Sequence, residues 1–159
     1  MQLISQIVRH FRAVYTGGNW TAVNLKDTLA GITWQQATTK VESFNTIAGL
    51  VYHMNYYVIA VAGVLQGKPL EAKDKFSFDC PPVQSQQDWE NLVNKSMTDA
   101  ALFAKLIEQM PEEKLWEDFA DKKYGNYYRN ILGITEHNHY HLGQIVLIKK
   151  ILLRESLNG

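Results

Sequence analysis

The stretch YYRNILGITEHNHYHLGQIVLIKKILLR, residues 127–154, decides the fold of this chain. Ile131, Ile134, Tyr140, Ile145, Ile148, Ile151 and Leu152 recur in it at helical spacing, with no strand-like alternation, so it reads as one long amphipathic helix with those residues inward. Such a helix draws most of its stability from partners that cover its apolar face. Three further segments qualify as partners. Residues 3–15 space Leu3, Ile4, Ile7, Val8, Phe11, Val14 and Tyr15 helically and stop at Gly17-Gly18. A second helix should begin near Ser43 and pass through Ile47, Leu50, Val51, Met54, Val58 and Val61 to Leu65, ended by Gly67 and Pro69. A third starts after Ser85, buries Trp89, Leu92, Val93, Met97, Ala100, Leu102, Phe103, Leu106 and Ile107, and ends before Pro111.

The expected fold is therefore all-α: one four-helix bundle domain, with a long crossover between helices two and three. That crossover, 68–87, contains Pro69, Pro81 and Pro82 and is too long for a tight turn. A shorter irregular link covers 111–126. Between helices one and two, Thr33 to Gln36 reads as a short helix start, with Leu25, Leu29 and Ile32 capping one end of the core. The tryptophans Trp20, Trp34, Trp89 and Trp116 fall near segment ends and read as core caps.

Composition narrows the function. The chain has 159 residues, enough for one domain with a proper core, and 46% of them are hydrophobic. Lys and Arg total 16, as do Asp and Glu, so no net positive field recruits nucleic acid or an anionic membrane. The first residues intersperse Arg9, His10 and Arg12 among apolar ones, unlike an export signal. The longest uninterrupted apolar stretch, 58–65, is far short of the roughly 20 residues of a membrane span. A cytoplasmic protein is the expectation. The single cysteine, Cys80, makes no internal disulfide, and with Pro81 and Pro82 beside it and no local base it reads as an incidental loop thiol.

The chemistry lies in the histidines. His137 and His141, four residues apart on helix four, project from one face and can share one ion. Gln144 lies within about 20° of His137 around that helix, whereas His139 falls about 160° from both ligands and should look outward. The third ligand must come from elsewhere, and His53 is the histidine on an apolar, core-directed helix. Two readings of it stand at this point: a metal ligand, or a core histidine hydrogen-bonded to a tyrosine or a backbone carbonyl. His10, at the edge of helix one's stripe, is a fourth candidate. Tyr56 and Tyr57 flank His53, and Tyr140 sits beside His141, so their hydroxyls can border the open side of the site.

The segments GLVYHMNYY (49–57) and EHNHYHLGQI (136–145) resemble the DinB-like family, whose founding member was named as a DNA-damage-inducible protein; FDCPPVQSQQDWENL (78–92) is similar to that family as well. The resemblance spans most of the chain, and HxxxH followed by Gly-Gln is its most specific part. It implies a four-helix bundle, a divalent metal held by His53, His137 and His141, and a homodimer. Zinc or nickel is the expected ion, with iron and manganese as alternatives. Characterised members of that family include transferases and isomerases that use mycothiol, bacillithiol or similar small thiols.

Three neutral imidazoles leave a divalent charge uncompensated and a coordination position open, which favours an anionic fourth ligand. Hydroxide would make a hydrolase; the thiolate of a small thiol would make an S-transferase. A hydrolase of the HExxH kind places a carboxylate directly after the first histidine, but Asn138 stands there, and Glu136 points about 100° away. Thiol transfer to a small-molecule substrate is therefore preferred over hydrolysis. The competing class is a non-catalytic, stress-associated metal-binding bundle.

Overall fold

The computed structural model describes residues 2–158, with side chains as far as Arg154. Six α-helices form in it: α1 (Leu3–Thr16), α2 (Leu25–Leu29), α3 (Trp34–Thr38), α4 (Ile47–Leu65), α5 (Gln86–Glu108) and α6 (Tyr127–Asn158). The described residues hold no strand, only an isolated bridge between Asp118 and Asn126. The all-α expectation therefore holds. The four long helices close a ring of contacts, α1 against α5 and α6, and α4 against the same two. Residues 66–85 cross from α4 to α5 with a single 3-10 turn at Asp74–Phe76.

Local chemistry sets the ends. Gly17, at φ 97°, stops α1 in a conformation that disfavours a side chain. Thr33 and Gln36 make a reciprocal capping box on α3, and the Ser85 side chain accepts from Asp88 N to start α5. Helix α4 begins at Ile47 and not near Ser43. Glu42 takes a positive φ of 44°, residues 42–44 turn, and the Thr46 hydroxyl, accepting from Gly49 N, supplies the true cap.

One contiguous buried cluster draws on all six helices, centred on Phe11, Leu50, Met54, Phe103, Ile107, Ile131 and Ile145. Phe11 and Phe103 meet edge to face with centroids 4.9 Å apart. Helix α4 is long and apolar enough by composition to cross a bilayer, a property that counting uninterrupted apolar residues does not register; most of that span is buried in the packing. Several inward assignments fail. Leu102 and Tyr140 are 42% and 65% exposed, because each is turned about 100° from a neighbour, Phe103 or His141, that takes the inward position. Trp20 is fully exposed and Trp116 largely so, whereas Trp89 is buried with its indole N–H donating to the Ile32 carbonyl.

The adjacent pair on α5 gives a direct check. Phe103→Ala should lower unfolding stability by about 3 to 5 kcal/mol, while Leu102→Ala should cost under about 1 kcal/mol. Urea denaturation of the two variants measures this; equal losses would mean that the rotation of α5 is misplaced.

Candidate metal centre

Helices α4 and α6 face each other across the core, which brings His53 against the His137–His141 pair. His53 is 7% exposed, and a histidine so buried needs partners for both ring nitrogens. Its Nδ1 lies 3.3 Å from the Ser77 carbonyl oxygen, to which it can donate. Its Nε2 lies 3.0 Å from His137 Nε2. Both readings of His53 thus hold in part: it bonds a backbone carbonyl and it also joins the helix-four pair.

The other two rings follow the same plan. His141 Nδ1 is 2.7 Å from Gln144 Oε1, and His137 Nδ1 is 3.4 Å from Asn138 Oδ1. Ring centroids lie 4.9 Å apart for His53 and His137, 4.6 Å for His53 and His141, and 4.5 Å for His137 and His141. One ring nitrogen from each of the three lies within 4.8 Å of the others, close enough to hold a metal ion. An acceptor at each Nδ1 fixes the tautomer whose Nε2 lone pair is free, as in histidines oriented for metal binding. Two nitrogens each about 2.1 Å from one ion stand about 3.0 to 3.4 Å apart at angles of about 90° to 110°, and the His53–His137 separation falls at the short end of that range. The donor set fits a divalent cation.

Electrostatics keep the rings neutral. Burial pushes the His53 imidazole down to about 4, with His141 and His137 adding to the effect against the Ser77 hydrogen bond. Burial also lowers His137, with His141 contributing, and lowers His141 against the opposing bond to Gln144. Neutral imidazole is the ligating form, so no proton need be displaced near neutral pH.

The crossover and the tyrosines build the surroundings. Phe78 stacks on His53 at 3.9 Å and nearly parallel, so the segment that orients the ring also covers one face of it. Tyr57 meets His53 and His137 edge-on at 5.2 and 5.0 Å, and its hydroxyl donates to Asp74 Oδ1 at 2.7 Å. Tyr140 packs edge-on against His141 at 4.9 Å from the solvent side. Tyr56 turns instead to the crossover, where its hydroxyl bonds both the N–H and the carbonyl of Lys73. Gln144 serves as the partner of His141 rather than as a free lining group. Asn138, wholly buried, donates to the Tyr15 hydroxyl at 2.9 Å and so ties α6 to α1 directly behind His137.

His139 stays outside the triad, as its helical phase requires, but it does not face open solvent. It is half-buried and lies 6.0 Å from His10, since α1 covers that side of α6. His10 itself is exposed and contributes nothing to the triad. Cys80 is partly buried, and burial raises its thiol, in keeping with an unreactive cysteine. Sequence reasoning missed Ser77, Phe78 and Asp74. The Ser77 contact runs through a backbone carbonyl that any residue carries, so only the crossover's length hinted that it could reach the site.

No family model, curated protein or solved structure matches the chain.

His141→Ala should reduce bound zinc sharply, and His139→Ala should leave it unchanged, because the two point to opposite sides of α6. Gln144→Leu should retain the ligands yet weaken zinc about 10- to 100-fold. Metal analysis of untagged protein and competition with a chelating dye read these outcomes; equal metal loss in the His139 and His141 variants would mean that the triad is wrongly composed.

Proposed function

We propose that this chain is a DinB-like four-helix bundle protein, homodimeric, that holds zinc or nickel through His53, His137 and His141 and transfers a small thiol to an electrophilic small molecule. The observation that carries this reading is a cluster of three neutral imidazoles, each with Nδ1 beside an acceptor, which no carboxylate joins among the described residues. Imidazole donors suit zinc and nickel. The bound ion would supply the positive charge that makes a thiol acidic near neutral pH.

The chain's own residues do the rest. Ser77 and Gln144 hold His53 and His141 in their rotamers, and the Asn138 side chain ties α6 to the Tyr15 hydroxyl of α1. Phe78 and Tyr57 close the apolar side of the cluster and keep water from it. Tyr140, exposed beside His141, marks the side from which a substrate arrives. In the transfer, sulfur forms a bond to an electrophilic carbon, the bond from that carbon to its leaving group breaks, and the thiol proton leaves to solvent or with the departing group.

A hydrolase is the second reading, favoured by one feature: Asp74, which acts electrostatically on His53, holds the Tyr57 hydroxyl and could serve a water through it. The two readings separate on thiol dependence. Cobalt-substituted protein should develop a sulfur-to-metal charge-transfer band when a small thiol is added, and turnover of an electrophile should require that thiol and be lost in His137→Ala. Thiol-independent ester or amide hydrolysis that falls in Asp74→Asn, with no spectral change, would replace transfer by hydrolysis. Metal binding with neither response would leave a non-catalytic bundle.

A further inference from the structure

A cavity lies away from the histidines, between α4, α5 and the crossover. Its volume is about 450 Å³, inside the roughly 300 to 1,000 Å³ of small-molecule sites. Tyr52, Tyr56 and Ile59 of α4, Leu92 of α5 and Pro81 of the crossover give it apolar and aromatic walls. None of the triad lines it. Tyr56 separates the two regions, one face on this cavity and its ring against Tyr57, 5.3 Å away.

The charges around the cavity are unequal. Glu71 and Asp88 line it, and among the described residues Glu71 has no ion pair. Lys95 also lines it, but its ammonium sits 2.9 Å from Asp99 Oδ2, a carboxylate oxygen that the Asn55 amide also engages at 2.8 Å. The cation is thereby neutralised while the Glu71 charge stays free, and Asp79 adds a further negative field at Tyr52. Aromatic faces beside uncompensated carboxylate make a site for a cation with an apolar body: the rings attract it by their quadrupoles and the carboxylate by charge. An organic anion would meet the same carboxylates and be rejected.

We propose that this cleft binds a small organic ammonium, an aromatic or aliphatic amine whose body lies among Tyr52, Tyr56 and Leu92 and whose charged nitrogen reaches Glu71. The site is independent of the metal centre and of the reaction assigned to it.

Phenethylamine and phenylacetate, matched in body and opposite in charge, test this by nitrogen-15 NMR titration of the metal-loaded protein. Phenethylamine should shift the amides of cleft residues, with phenylacetate at least about tenfold weaker. Glu71→Gln, at an exposed position, should weaken the amine about fivefold, and Ile59→Trp should fill the cleft and abolish binding while zinc content stays unchanged. Equal binding of the two ligands, or an unchanged affinity in Glu71→Gln, would overturn the ammonium assignment. Shifts centred on 137–141, an unaffected Ile59→Trp variant, or no shift at millimolar amine would overturn the site itself.

Discussion

The approach of His53 to His137, nitrogen to nitrogen at 3.0 Å between α4 and α6, is the constraint that the rest of the site depends on. Two imidazoles this close and this sheltered must share a proton or share a cation, since two facing lone pairs would repel in a low-dielectric interior. Every neighbouring feature bears on that choice. The Ser77 carbonyl occupies His53 Nδ1, and the Gln144 amide oxygen occupies Nδ1 of the third ring, so protons are drawn to the outer nitrogens and lone pairs are left facing one another. Burial then keeps all three rings neutral. Such an arrangement is costly when empty and favourable around a divalent ion, which couples metal binding to the stability of the fold.

The fold supplies this arrangement through rigid elements. His137 and His141 share one helical face, Asn138 between them bonds Tyr15 on α1, and His53 sits on α4 among the buried Leu50, Val51 and Met54. Only the crossover is irregular, and it is anchored at several points: Tyr56 grips Lys73, Tyr57 holds Asp74, the Ser77 hydroxyl donates to the Asp74 carbonyl, and Phe78 stacks on His53. A connection of this length with no more than one 3-10 turn is commonly functional. Here one part of it orients His53 within the histidine cluster, while Glu71 and Pro81 wall a separate cleft.

Much of this was legible in the sequence because helical periodicity is a strong signal over long segments. The four long helices, the helix starts after Ser85 and at Thr33, and the shared face of His137 and His141 follow from spacing and from the apolar setting of each residue. For His53 the residues left two readings open, and only the family resemblance joined it to the other two. Angular detail was less legible. Leu102 and Tyr140 border the inward face, and apolar character alone places them on the wrong side of it; His139 was sent to solvent because a two-sided helix wheel ignores the third helix, α1, lying along α6. The start of α4 was missed because a left-handed turn at Glu42 carries no glycine to announce it. Contacts made by the crossover were not legible, since its bond to His53 uses a main-chain carbonyl.

The central claim is that one divalent ion is held by three imidazoles. X-ray absorption spectroscopy at the metal edge of zinc-loaded protein tests it most directly. The account predicts three nitrogen scatterers at about 2.0 to 2.1 Å, with the outer-shell pattern of three imidazole rings. A first shell of oxygen with one imidazole or none would contradict it.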